Sequence, residues 1–291
     1  MPRFIRAYDN HNEPLVSIHD SVLPRTYFNI IRLKKGERHY ARVPGYETCW
    51  VLAGGVCNIT VNGETFASVG KRANIWESQK ADSVYAPADA EVVVEGVSDE
   101  AKLFVAGGKC GVQHKPFRIT PDEVKPVEVG SVETHSRRII NHILGAKDEG
   151  RTGNLLVSEL YADPGCWAGY PPHKHGDDLP LSPDAWKETG FEEIYHFQYN
   201  PHNGFGAQFD YYPGSMDDRN VWMMRSGDTF CISGGYHPGV ASPGHAEYIF
   251  TILVGYTQHS LVQNFDPEYA YLASQLPGVK DMVALFTGEN K

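Results

Sequence analysis

Glycine and proline punctuate this chain from end to end, and that spacing constrains its fold more than any other feature. Of 291 residues, 29 are glycine and 19 are proline, so turn positions interrupt the chain before most segments reach helical length. No stretch shows the 3.6-residue apolar period of an amphipathic helix until Asp266 to Leu276, near the C-terminus. Between the turns lie short strand-like runs. In the first half they are YFNIIRL, KKGERH, TCWVLAGG, VCNITVNGETF, ANIWES, SVYAPADAEVVVEG and KLFVAGG. Asn62-Gly63 within them marks a tight hairpin, because this pair tolerates the positive φ angles of a primed turn.

After a charged connector, KPFRITPDEVKPVEVGS, the same texture resumes as LLVSELYA, FEEIYHFQY, FGAQFDYY, VWMMRS, DTFCIS and AEYIFTILVGY. The chain therefore reads as all-β, with two related barrels in tandem over residues 1–120 and 121–291. Charge narrows the function. With 26 Lys+Arg against 36 Asp+Glu, a net −10 without a basic cluster, a nucleic-acid partner is excluded. The longest apolar run, Tyr248 to Val254, is far short of the ~20 residues that cross a bilayer, which excludes a helical membrane span. The polar N-terminal stretch and five cysteines without a CxxC pair (Cys49, Cys57, Cys110, Cys166, Cys231) predict a cytoplasmic protein with buried, reduced thiols.

Three elements carry candidate chemistry. His173-Lys174-His175 places two imidazoles on one face of a strand, with Lys174 on the other; alone, the pair reads equally as surface histidines in a proline-flanked loop. In GFEEIYHFQY, alternation puts Phe191, Glu193, Tyr195 and Phe197 on one face and Glu192, Ile194 and His196 on the other. Glu193 then falls on an apolar face, where a carboxylate must be paired or coordinate something, and Glu192 faces solvent or the partner barrel. Finally a strand ends in Gly234-Gly235-Tyr236-His237-Pro238, where His237 alone could be a hydrogen-bonded turn residue. Taken in order, three imidazoles and one carboxylate on successive strands suit a divalent transition metal with open positions for substrate.

That order is the cupin metal pattern, and WAGYPPHKH, EEIYHF with NPHNGFG, and the GYHP turn resemble the 5-deoxy-glucuronate isomerases of inositol catabolism. The 4-deoxy-5-ketouronate isomerases of pectin breakdown share the ligand layout. The resemblance extends to RLKKGERH, WVLAGGVCNITVNGETF, SVYAPADAEVVV and THSRRIINHIL, most of the chain. It implies a bicupin with one divalent metal, zinc or manganese with iron also compatible, held in the C-terminal barrel by His173, His175, Glu193 and His237. The N-terminal barrel lacks an HxH, offers only His39, and is expected to bind no metal. Some positions depart from the family. Phe197 stands where an arginine usually follows the histidine, Ser233 replaces a proline, and YYPGSMDDRNV retains Asp217, Asp218 and Arg219 around an inserted Pro-Gly.

The implied activity is metal-dependent aldose-ketose isomerisation of an acidic six-carbon sugar, with 5-deoxy-glucuronate converted to 2-deoxy-5-keto-gluconate. Tyr195, His196 and Arg219 are the catalytic candidates; His196 acts only if its face of the strand meets the other barrel in a working site. Lys174, Arg137 and Arg138 join Arg219 as possible cations for the substrate's anionic end. Gln208, Phe205, Phe209, Tyr211 and Tyr212 are candidate pocket residues. Alternatives are a sister isomerase for a sulfonated hexose such as sulfoquinovose, an iron-dependent cupin dioxygenase, and a non-enzymatic sugar-binding cupin. A homo-oligomer is compatible with all of them.

Overall fold

The computed structural model describes residues 3–183, 185–212, 214, 219–257 and 259–287. It is built almost wholly of antiparallel strands. The first barrel contains β2 (Thr26–Lys34), β3 (Arg38–Ala41), β4 (Tyr46–Gly54), β5 (Cys57–Val61), β6 (Glu64–Val69), β7 (Ser83–Ala86), β8 (Val92–Gly96), β9 (Glu100–Lys109) and β10 (Phe117–Ile119). They form a five-stranded sheet, β10-β7-β4-β9-β2, facing a four-stranded one, β3-β8-β5-β6. Asn62 and Gly63, at φ 49° and 87°, make the expected tight turn between β5 and β6.

The second barrel is larger. Its strands are β11 (Pro126–Val129), β12 (Arg138–Leu144), β13 (Leu155–Ala162), β14 (Trp167–Ala168), β15 (His173–Lys174), β16 (Leu179–Ser182), β17 (Ala185–Glu188), β18 (Phe191–Asn200), β19 (Phe205–Asp210), β20 (Asn220–Arg225), β21 (Thr229–Ile232), β22 (Gly239–Ala241), β23 (Ala246–Gly255) and β24 (Asn264–Phe265). A seven-stranded sheet, β1-β21-β18-β23-β13-β12-β11, faces the four-stranded β14-β22-β19-β20. Its outermost member, β1 (Arg3–Ile5), comes from the chain's N-terminus and pairs with β21, so these residues sit in the second barrel's sheet although the sequence division assigns them to the first. The physical gain is that β1 covers a sheet edge that would otherwise expose unpaired backbone groups.

The wide sheets of the two barrels pack against each other, so their strands are buried on both faces. In β2, Phe28 and Ile30 face the second barrel while Ile31 and Leu33 fill the first barrel's interior. In β18, Ile194 joins the core between barrels while Tyr195 and Phe197 point into the second barrel. Three buried carboxylates cross this interface. Glu159 accepts from Arg72 at 2.5 and 3.1 Å, Glu192 from Thr26 Oγ1 at 2.8 Å, and Glu47 from the Gly153 amide at 2.7 Å.

Two sequence expectations are corrected. Ala73 to Ser78 (ANIWES) is a turn, because the Asn74 side chain accepts from the amides of Trp76 and Glu77 at 2.8 and 3.1 Å and closes the backbone on itself. The C-terminal helix lies beyond Asp266–Leu276, which holds only a short 3-10 turn at Ala270–Ser274. Pro277-Gly278 ends that turn, and helix α1 (Val279–Thr287) follows. Gly278 has φ 71°, and a Cβ there would lie 2.3 Å from the Glu128 carbonyl oxygen.

Candidate metal centre

The histidines converge because three separate backbone features aim them at one point. His173 opens β15 and pairs across to Phe265. His175 follows two residues later, and Lys174 between them turns away to Glu188, with Nζ–O distances of 2.6 and 2.8 Å. Glu193 enters from β18. His237 arrives through the turn after β21, where Gly235 takes φ 89° and passes so close to Asp210 that a Cβ would sit 3.0 Å from its Oδ1. All four side chains are buried.

Each imidazole is oriented by a backbone carbonyl. Nδ1 of His173 donates to Pro171 O at 2.8 Å, Nδ1 of His175 to Phe191 O at 3.2 Å, and Nδ1 of His237 to Gly235 O at 2.9 Å. A carbonyl can only accept, so each Nδ1 carries the proton and each Nε2 is left to face inward as a ligand atom. The histidine ligand atoms lie within 4.8 Å of one another. Glu193 Oε2 lies 3.0 Å from His175 Nε2 and 3.2 Å from His237 Nε2. The His237 nitrogen is buried without a bond of hydrogen-bonding geometry, which is the state of a donor atom shaped for an ion. The residues therefore fit a divalent metal in both chemistry and orientation.

Electrostatics favour the same occupant. Burial and the two neighbouring imidazoles push His173 well below the usual histidine range, keeping it neutral as a ligand must be. Burial opposes charge on Glu193 and on His175, but their contact outweighs it, holding the carboxyl at about 2 with help from His237 and raising His175; the carboxylate thus draws positive charge, a proton or a metal ion, to the facing Nε2 atoms. Tyr195 is raised well above an ordinary phenol by burial and the Glu193 charge. It stays protonated, a hydrogen-bond donor rather than a base.

The chamber beside these groups measures about 40 Å3 and is lined by Arg138, Ser158, Tyr195, Thr251, Gln263 and Met282 as well as His173, His175 and Glu193. Gln263 Nε2 donates to His173 Nε2 at 2.9 Å, so the segment before β24 closes directly over the ligand set. A row of inward polar residues crosses the wide sheet from the site, Tyr195 opposite Thr251, Thr251 opposite Ser158, and Ser158 opposite His142. It leads to a cavity of about 430 Å3 that shares Ser158 and Leu253 with the chamber.

The other sequence candidates disperse. His196 lies on the opposite face of β18, as alternation requires, and meets the first barrel there. Its ring centroid is 5.3 Å from that of Phe28 and 5.1 Å from that of Phe104, and Nδ1 is 3.0 Å from Thr229 Oγ1. Burial pushes it well below its usual pKa. It is packed in the interface between barrels and not in the chamber. Arg219 is exposed before β20 at the edge of the small sheet and is not among the chamber's lining residues; Asp217 and Asp218 lie outside the described residues. Gln208 uses Nε2 to hold the carbonyls of His237 and Pro238, at 2.7 and 3.2 Å, which steadies the ligand turn. Phe209 stacks on Trp167, Phe205 is exposed, and Tyr211 and Tyr212 bond Asp266 and Gly234 O. His39 is half-buried near Trp50. The chamber residues Gln263, Ser158 and Thr251 carried no sequence signal, since each is one polar residue in an unremarkable run.

Residues 4–272 match the family model of the KduI/IolB family. The chain belongs to the KduI/IolB family. Among similar curated proteins, 5-deoxy-glucuronate isomerase from Geobacillus kaustophilus is 31% identical over 250 residues, 84% of each chain. The protein of that name from Bacillus subtilis (strain 168) is 28% identical over 261 residues, 88% of this chain and 91% of its own. Among solved structures, an IolB-like protein from Salmonella typhimurium superposes with a TM-score of 0.77 at 25% identity, covering 85% of this chain and 90% of that one. Oxalate decarboxylase from Lactobacillus farciminis, at 10% identity and TM-score 0.60 over 93% and 86% of the two chains, shares the fold. The KduI/IolB membership and these neighbours agree with the bicupin expectation.

Proposed function

We propose that this member of the family is a metal-dependent aldose-ketose isomerase for an acidic six-carbon sugar, with 5-deoxy-glucuronate as substrate and 2-deoxy-5-keto-gluconate as product. The observation that carries the reading is the inward convergence of three buried, carbonyl-oriented histidines beside Glu193, in a chain 31% identical to a protein named 5-deoxy-glucuronate isomerase. In this reaction the C2–H bond breaks and a C1–H bond forms while the proton on O2 leaves and O1 gains one, so the carbonyl moves from C1 to C2. A divalent ion, zinc or manganese, held by His173, His175, Glu193 and His237 would supply Lewis-acid polarisation of the carbonyl. Tyr195, protonated and inward, donates a hydrogen bond to a substrate oxygen. The apolar lining from Ile140, Leu160, Leu253 and Met282 lowers the local dielectric, which strengthens that bond. Five buried, unpaired cysteines fit a reducing compartment such as the cytoplasm.

The test is an NMR assay of zinc- or manganese-loaded protein with 5-deoxy-glucuronate in D2O. Formation of 2-deoxy-5-keto-gluconate is expected, and deuterium on its C6, the carbon that was C1 of the aldose, would mark proton transfer through the active site rather than a direct hydride shift. No isomerisation with either metal, or oxygen consumption with Fe(II) and sugar, overturns the reading in favour of a binding protein or a dioxygenase.

A further inference from the structure

The cations considered for the substrate's anionic end differ in their partners. Lys174 is held by Glu188, and Arg137 by Glu128 and Asp163 at 2.7 and 2.8 Å. Arg72 is paired with Glu159 and Arg118 with Asp82. Arg138 differs. It is 2% exposed, lines the chamber with His173 and His175, and has no carboxylate of the described residues within 4.0 Å. Its bonds are to two backbone carbonyls, Nη1 to Ser136 O at 2.9 Å and Nη2 to Tyr170 O at 2.5 Å. A guanidinium has five N–H donors in a fixed plane, so these two bonds fix its orientation and leave others for a ligand.

A buried charge without a counter-charge is costly, and proteins keep one where a ligand completes it. Burial lowers Arg138 only to about 10, so it stays charged near neutral pH. With a divalent ion in place and Glu193 the only carboxylate among the described residues lining the chamber, the lining carries excess positive charge, within a protein whose net charge is −10. We propose that Arg138 binds the anionic end of the substrate and thereby selects acidic over neutral sugars. The inference rests on the proposed isomerase activity and identifies the residue behind its substrate class. The chamber's 40 Å3 has room for a few waters and not for a six-carbon sugar. A sugar held by Arg138 therefore extends past Ser158 into the adjoining cavity, where Lys125 and Lys147 are the competing cations.

The experiment compares 5-deoxy-glucuronate with its neutral counterpart 5-deoxy-glucose, in which CH2OH replaces the carboxylate, on metal-loaded wild type, Arg138→Gln, Arg138→Lys and the double variant Lys125→Gln/Lys147→Gln. Arg138→Gln is expected to lower kcat/KM for the acid by roughly 100-fold, mainly through KM, as expected when a charged recognition bond is lost. Its rate on the neutral sugar and its metal content should hold, so the acid preference collapses. Arg138→Lys, with charge but no fork, should recover part of it. A metal-replete Arg138→Gln protein with unchanged acid preference overturns the proposal, as does loss of that preference in the lysine double variant alone. If Arg138→Gln fails to fold, Arg138→Lys with an unchanged KM for the acid shows that the arginine is only a brace for the Tyr170 loop. If wild type turns over neither sugar, the substrate reading fails by itself. Calorimetry with D-glucuronate against D-glucose then decides Arg138, and equal affinity of wild type for the two overturns its role.

Discussion

At the scale of single residues, the site depends on hydrogen bonds that never touch a substrate. Pro171, Phe191 and Gly235 each use a carbonyl to set one imidazole's tautomer. Removing one ligand leaves the other carbonyl contacts and both barrel cores intact. His175→Ala and His237→Ala should therefore each abolish stoichiometric metal binding, measured by elemental analysis, while the far-UV circular dichroism stays that of wild type. A metal-replete His237→Ala protein would show the ligand set to be wrong. His196 makes the opposite case. His196→Phe should keep metal content and turnover but lower stability by about 1–3 kcal/mol, because the Thr229 hydroxyl loses its buried partner; urea denaturation beside a kinetic assay checks both halves.

At the scale of elements, β18 shows how much a period of two can say. The alternation of Glu192, Glu193, Ile194, Tyr195 and His196 correctly separates the interface from the chamber without any structure. The strand β12 shows the limit. RRIINHIL mixes charge and apolar residues and is not among the strand-like runs of the sequence, yet it pairs along β13 and delivers Arg138 and Ile140 to the chamber. Which of two adjacent arginines turns inward depends on register, and register depends on β13, about 20 residues later. The strand β23 carries its own prediction. Burial pushes Glu247 up to about 7, only partly offset by the Tyr199 hydroxyl 2.8 Å away. An unfolded glutamate titrates near about 4.3, so between these values the folded chain holds a proton that the unfolded chain has lost. The Glu247 contribution is therefore complete below that lower value and lost as pH rises through 7. Glu247→Gln should gain stability relative to wild type as pH rises from 4.5 to 7.5, read as a widening difference in urea midpoint; a constant difference would contradict the shift.

At the scale of the whole molecule, the barrels are joined by a common core and by buried charge. Arg72 of the first barrel and Glu159 of the second are 2% and 0% exposed at their side chains, and the Tyr248 hydroxyl also donates to Glu159 at 2.7 Å. Breaking such a pair from one side strands the other charge, so Glu159→Gln should cost about 3–5 kcal/mol. Because Phe28, Ile194 and Phe250 belong to one core spanning both barrels, the loss should appear as a shifted single transition. Separate unfolding of the two barrels in urea would contradict that coupling. The sequence alone determined the all-β class and the tandem barrels and pointed to the three histidines that the fold gathers, because turn residues, strand alternation and the HxH spacing act over a few neighbouring positions. Only the tertiary structure decided that Arg138 rather than Lys174 or Arg137 enters the chamber, and that Gln263 closes over His173. Those outcomes rest on which side chains find a counter-charge or a cavity across strands distant in sequence, and packing alone settles that.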